Sequence, residues 1–239
     1  MSARPLKEAQ VTTVTKEVQL VDAQAVSKPA AINDVVGAGT IVRTGAESRA
    51  ELTFADRTIA RLAANSAFTF NPATRDMKLE DGAMLFQVPR GSGGARIGTG
   101  NVTAAIHRAT GIAEFHPNSY FKFLILEGEA RICVNHRMGE SVILRPGQLL
   151  ISKADSKVLP ESAYFNIGRF MNSCRLVLDF SPLAEHALAA INHEAARQKN
   201  NSDFVPTNLV IFGSGTNVVL VNPDEQNAGG EHPADSGQR

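Results

Sequence analysis

The sequence predicts an all-β main domain of many short strands, coiled or stacked in a sandwich-like or β-helix-like way, with a C-terminal helix and β-hairpin as an appendage. Three observations carry this prediction. Short runs rich in Val, Ile, Phe and Thr recur through the first two thirds of the chain, and Gly, Asn, Asp or Pro punctuates most of the breaks. Within those runs polar and apolar residues alternate at period two, which turns one face of each strand toward a core. One stretch near the C-terminus changes to helical periodicity.

Composition bounds the function classes. The chain has 239 residues, enough for one or two domains, with 43% hydrophobic and 20% charged residues. Its 24 Lys and Arg balance 24 Asp and Glu, so it lacks the excess positive charge that a nucleic-acid or anionic-membrane partner calls for. Trp is absent and Tyr scarce, which leaves little with which to build a stacking platform for sugars. No run approaches the roughly 18 apolar residues of a membrane-spanning helix. The opening "MSARPLKEAQ" has no apolar signal-peptide core, compatible with a cytosolic protein and equally with one whose leader has been removed. Cys133 and Cys174 each sit in an apolar run; they read as two buried free thiols or as a single bridge, and spacing does not choose between these.

The elements follow in order. Residues 1–34 read as an N-terminal strand and connector. In "VTTVTKEVQLV" (Val11–Val21), Val14, Val18 and Leu20 share one side, and Thr13, Glu17 and Gln19 the other, the pattern of a half-exposed strand. Residues 35–152 form the β domain. Leu52 and Phe54 share a side there, and Ile59 must find another. One short phrase occurs twice, as "LEDGAMLFQV" (Leu79–Val88) and "LEGEARICV" (Leu126–Val134). Each has an acidic residue, a glycine, and a run ending in Val six residues later. A glycine ahead of such a run permits a positive φ or a tight corner before the strand begins. Gly82 and Gly128 are therefore expected to turn the chain into core-facing strands carrying Met84, Phe86 and Val88 in one case and Ala130, Ile132 and Val134 in the other. Gly39, Gly45 and Gly147 are expected as further structural turns.

Residues 153–222 differ in character. "CRLVLDF" reads as one more strand. "SPLAEHALAAINHEAARQKNN" (Ser181–Asn201) reads as a helix with Ser181 as N-cap, Pro182 at its first position and Arg197 and Lys199 in its last turn. Leu183, Ala187, Ile191 and Ala195 form its apolar stripe. "NLVIFGSGTNVVLVN" reads as a β-hairpin. A helix of this length is marginal alone in water, so it is expected to lie on a small sheet made by these flanking segments. Residues 223–239 are polar and rich in Gly and Pro, and read as a disordered tail.

The run "VVGAGTIVRTGAESRAELTFADRTIARLAANSAFTF" resembles the opening of a FecR domain: a Gly before an apolar strand, Arg-Thr-Gly, Ser-Arg-Ala before an alternating strand, then an Asp turn and an Asn-Ser turn. The likeness continues through "LEDGAMLFQV", "VTAAI", "LILEGEARICV" and "VILRPGQLL", from Val35 to Ile151. The resemblance implies an all-β fold, a periplasmic or extracellular location, and sensing or scaffolding through protein contacts in the cell envelope. Family members that relay a transport signal to a sigma factor carry an anti-sigma segment and a membrane span ahead of the domain. Neither is visible in this sequence, so sigma-factor control is not carried over. The stretch "TAAIHRATGIAEF" departs from the family pattern, with Thr110-Gly111 following His107 and Arg108; a local irregularity is expected there.

No residue pattern predicts catalysis, a cofactor or a metal. There is no Gly-x-Ser-x-Gly elbow. "GSGGARIGTG" (Gly91–Gly100) lacks the Lys-Ser/Thr and following helix of a phosphate cradle. His186 and His193 share a helix face but lack metal-ligand spacing, and His107 and His116 read no better as ligands. Cys133 has no His or Lys spaced to activate it. The expected function is a non-enzymatic module that binds another envelope protein. The alternative is a structural or self-assembling surface protein that forms homo-oligomers by pairing exposed β edges.

Overall fold

The computed structural model describes residues 8–71, 73–137, 139–198, 203–207, 209–212 and 217–220. Fifteen strands form one large mixed sheet. They are β1 (Ala9–Thr15), β2 (Val18–Val21), β3 (Ser27–Pro29), β4 (Val35–Val36), β5 (Ile41–Thr44), β6 (Arg49–Phe54), β7 (Ile59–Leu62), β8 (Ala67–Asn71), β9 (Asp76–Val88), β10 (Ala95–Thr99), β11 (Val102–His116), β12 (Tyr120–Val134), β13 (Ser141–Leu144), β14 (Gln148–Lys153) and β15 (Ala163–Tyr164). The main path runs β15-β14-β12-β11-β10-β9-β7-β6-β1-β4. Its pairings are antiparallel except β9 with β10. The sheet folds over on itself around an inner core: Phe54 of β6 and Phe70 of β8, strands that do not pair, meet edge to face at 4.9 Å.

Long strands with corners inside them produce this folding. The segments "MKLE" and "AMLFQV" belong to the single strand β9, and the two halves of β12 are likewise continuous. The expected break ahead of each repeated run is thus a bend within a strand. β9 pairs with β8 through Asp76–Asp81, with β11 from Gly82 onward and with β7 through Met84–Gln87. β12 pairs with β14 through Tyr120–Leu124 and with β13 through Ala130–Cys133. Each glycine stands where a strand leaves one neighbour and joins another. Met84, Phe86 and Val88, with Ala130, Ile132 and Val134, all enter the same core. The irregularity expected near Thr110-Gly111 is present: the β11–β12 register shifts between Ile106 and Arg108 and again between Thr110 and Gly111.

Val11–Val21 is two strands, not one. Lys16 takes a φ of 57°, and the Gly45 amide donates to the Glu17 carbonyl at 2.9 Å, so the chain breaks there. Val11, Val18 and Leu20 still reach the core, and Val14 packs at its margin.

The C-terminal helices are α1 (Ile167–Met171), α2 (Arg175–Leu178) and α3 (Glu185–Arg197). Strand alternation makes the outer face of the sheet apolar as well: Leu85, Ile112, Leu124, Leu126 and Leu149 pack beneath Phe165, Ile167, Phe170, Leu176, Leu183 and Ile191. The stripe of α3 therefore rests on the large sheet and not on a small sheet of its own. "CRLVLDF", expected as a strand, holds the short helix α2. A run of apolar residues this short does not distinguish strand from helix by periodicity; here Leu176 turns inward, Leu178 is exposed, and Arg175 pairs with Asp179 four residues on. α3 begins at Glu185 with Ala184 as its N-cap residue, so Ser181 and Pro182 precede it. Lys199 lies outside the described residues, as does the stretch 223–239 expected as a tail. β16 (Leu209–Phe212) and β17 (Asn217–Leu220) pair antiparallel, Leu209 opposite Leu220, as the expected hairpin.

Candidate functional site: two acidic corners against one strand

The repeated phrase carries shape first. Gly82 has φ +87° and Gly128 φ +76°, the left-handed region that disfavours side chains. A Cβ on Gly82 would lie 2.3 Å from Ser66 Oγ and 2.6 Å from Ser66 Cα. On Gly128 it would lie 2.2 Å from the Arg108 carbonyl oxygen and 2.8 Å from Ala109 Cα. It also carries charge. The acidic residue ahead of each glycine meets a basic residue of β11: Asp81 Oδ1 is 3.3 Å from His116 Nδ1, and Glu127 Oε2 is 3.9 Å from Arg108 Nε.

At the first corner the charges form a network. Glu114 Oε2 lies 2.5 Å from Lys122 Nζ, and its Oε1 receives the Tyr120 hydroxyl and lies 3.3 Å from His116 Nε2. Lys122 also donates to the Thr207 carbonyl at 2.9 Å. Burial works to raise the Glu114 carboxyl, but the His116 hydrogen bond and the Lys122 ammonium outweigh it and hold the carboxyl at about 2. His116 is raised, chiefly by its hydrogen bond to Glu114, against the opposing effect of burial. Tyr120 is pushed up by burial and by the Glu114 charge.

At the second corner Glu127 is buried, and its Oε1 accepts from the Thr110 hydroxyl at 3.1 Å. It lines a cleft of about 470 Å³ with Arg108, Gly128, Glu129, Arg145, Pro146, Ala190 and Glu194. The cleft thus lies between the corner, the turn ahead of β14, and α3.

A third polar cluster fastens the helical segment to the sheet. Arg61, 1% exposed, donates from Nε to Glu51 Oε2 at 2.7 Å, from Nη1 to the Leu176 carbonyl at 3.0 Å and from Nη2 to the Ser181 carbonyl at 2.5 Å. Its guanidinium also lies 4.9 Å from the centroid of the Phe180 ring. Arg49 pairs with Asp179 at 3.2 Å. Holding the Ser181 carbonyl anchors that residue to the sheet and explains why the helix starts later than its sequence suggests. Sequence reasoning missed Arg61, Glu51, Glu114, Lys122 and Glu127. The signal was there for Arg61, which sits between Ala60 and Leu62, both core residues; a charged residue at the opposite phase on a short strand needs a partner on the far face.

The remaining predicted residues are placed as follows. Gly39 (φ +78°) has open space where a Cβ would stand, and Gly147 (φ +77°) packs against Gln198 just beyond α3. Gly45 precedes a turn whose left-handed residue is Glu47. His107 occupies the register shift in β11, nine residues from His116 on the same strand, so the two do not meet. His186 and His193 are exposed on α3. Cys133 and Cys174 are free, and burial pushes the Cys174 thiol up. Among the described residues no three His, Cys, Asp or Glu side chains are grouped to hold a metal ion, and no helix is long and apolar enough to cross a membrane.

A family model described as FecR protein matches residues 40–136, which span both corners. That family is one of signalling regulators. No curated protein matches the chain. Two solved structures of candidate anti-sigma factors from Parabacteroides distasonis are similar to it. One, at 1.65 Å resolution, has 13% identity and a TM-score of 0.47, over 64% of this chain and 74% of that one. The other, at 2.50 Å, has 11% identity and a TM-score of 0.46, over 56% and 64%.

Proposed function

We propose that this chain, which carries a FecR domain over residues 40–136, is a non-enzymatic regulatory module of the cell envelope that works by binding another protein. The observation that carries this reading is the FecR match itself, which covers β5 to the end of β12. The polar clusters fit a binding module: in the Glu51 and Glu114 clusters the charged groups are engaged by one another or by carbonyls. Cell fractionation and crosslinking test the reading. A photo-reactive residue at exposed Val35, in a tagged full chain expressed in its native cell, should yield a discrete adduct with a different protein in the envelope fraction. Recovery of the chain in the cytoplasm, without such an adduct, would refute it.

A second reading, self-assembly through β edges, draws support from β4 and β15, the ends of the main sheet path, where Val35 and Tyr164 are exposed. Self-adducts from Val35, with a mass that rises with concentration in sedimentation, would favour it over the first.

A further inference from the structure

We propose that the cleft at the Gly128 corner is a binding site for a basic group, the ammonium or guanidinium of a lysine- or arginine-type ligand, and that Glu127 receives it.

The buried carboxylates of the two other clusters set the standard. Glu51 accepts from Thr12 at Oε1 and from Arg61 at Oε2, both at 2.7 Å. Glu114 has Tyr120 and His116 at Oε1 and Lys122 at Oε2. Both oxygens of each are served, as expected, because a carboxylate withdrawn from water is costly unless paired and hydrogen-bonded. Glu127 departs from this. Its side chain is 5% exposed, and Thr110 serves Oε1, but the cation nearest Oε2 is Arg108, 3.9 Å away and itself 46% exposed. That separation is beyond hydrogen-bond reach. The underserved carboxylate also lines a cleft.

The cleft suits such a ligand in size and in lining. Its volume of about 470 Å³ falls within the roughly 300–1,000 Å³ of small-molecule sites. Pro146 and Ala190 offer apolar wall to a methylene stem. Exposed Glu129 adds negative charge beside Glu127, Glu194 at the rim is already paired with Arg197 at 3.4 Å, and exposed Arg145 can meet a ligand's own carboxylate. A polar row leads inward from the site: Thr110 stands opposite Glu127 on one side and Gln87 on the other, and buried Gln87 Nε2 has no partner among the described residues. Because Ala190 and Glu194 belong to α3 and Glu127 to the FecR domain, an occupant would tie the helix to the corner.

The test is a titration of the full chain followed by amide NMR shifts of Gly128, Glu129, Ala190 and Glu194. L-lysine and L-arginine should give saturable shifts at these residues. Nε-acetyl-L-lysine, which keeps the stem but loses the charge, should bind at least tenfold more weakly. Nα-acetyl-L-lysine amide separates the two sources of the cation. Binding equal to that of L-lysine marks a site for a basic side chain within a peptide, and tighter binding of L-lysine that Arg145→Ala abolishes marks a site for the free amino acid. Glu127→Gln should weaken L-lysine at least tenfold. Should that variant fail to fold by circular dichroism, Glu129→Gln, at an exposed position, should weaken it about threefold. Equal shifts with Nε-acetyl-L-lysine, a response that does not saturate, or unchanged binding by the folded variant would each overturn the assignment. The FecR reading survives any of these, since it does not depend on this cleft.

Discussion

Replacing Gly128 by alanine separates two ways in which a glycine can matter. The first is conformational: φ is +76°, and the left-handed region costs an L-residue about 1–2 kcal/mol. The second is steric. The added Cβ would lie 2.2 Å from the Arg108 carbonyl oxygen and 2.8 Å from Ala109 Cα. Both are backbone atoms of a strand paired on both sides, so no rotamer relieves the overlap, and overpacking of this kind costs about 1–3 kcal/mol more. The expected loss is the sum, about 2–5 kcal/mol. Gly39 is the control. Its φ of +78° matches, yet nothing lies within 4 Å of the new Cβ, so Gly39→Ala should show the conformational share alone, about 1–2 kcal/mol. Equilibrium urea unfolding reads both variants. If the slope is unchanged, the Gly128→Ala midpoint should fall well below that of Gly39→Ala. Equal midpoints for the two would refute the corner argument, because they would show that β11 yields to the new atom without cost.

Four further outcomes follow from the polar clusters and the helix contact. Raising the pH through the elevated His116 value should lose the stabilisation that imidazolium gives between Asp81 and Glu114, a contribution complete below the ordinary value near 6.5 and absent in His116→Gln; a variant with the same pH slope as the parent would count against it. Acidification should cost stability as the pH falls from about 4.5 toward 2, the interval in which Glu114 is protonated in the unfolded chain but still ionised in the folded one, and Glu114→Gln should flatten that limb of a thermal-midpoint profile. Arg61→Ala should cost about 3–5 kcal/mol because it strands Glu51 in the interior, whereas Arg61→Met with Glu51→Leu should recover most of the loss in the same urea assay. Ile191→Asp should remove hydrogen-exchange protection from α1 and α3 before it does so in β9, β11 and β12, since Ile191 packs on the outer cluster and not in the inner core; simultaneous loss in all five elements would make the chain one cooperative unit.

The strands were legible because alternation is local. Each of the runs in residues 35–152 states its inward face without reference to its neighbours, and Met84, Phe86, Val88, Ala130, Ile132 and Val134 all face the inner core as their phase implies. What alternation cannot state is that both faces are covered. Leu85, Ile112 and Leu124 occupy the opposite phase, and only the position of α3 and α2 in space reveals the second layer. The helix start was misplaced for a related reason. Ser181-Pro182 has the local form of a cap, but the partner that decides its conformation, Arg61, is 120 residues away. The buried charges escaped for the same cause. Glu51 and Arg61 lie ten residues apart on adjacent strands, and Glu114 and Lys122 face across a hairpin, so each pair exists only once register is set.

The two corners share a cause that reaches beyond shape. Gly82 pairs with Phe115 and Gly128 with Ala109, so both corners bear on β11, from opposite sides and six residues apart. Where a strand changes partners, its neighbours splay and the ladder opens. The residue just ahead of the bend can then carry a charge that a flat sheet interior would exclude. Buried Glu127 uses that opening, Asp81 stands half-exposed at its corner, and β11 answers with His116 and Arg108 at its own end and bulge. The two answers are unequal. His116 closes its corner with contacts of 3.3 Å to two carboxylates, while Arg108 stands 3.9 Å from Glu127 and leaves its corner open to the cleft. The same short phrase therefore builds an ion-paired junction at the C-terminal end of β11 and an unsaturated one at the strand's middle, beside the cleft proposed as a ligand site.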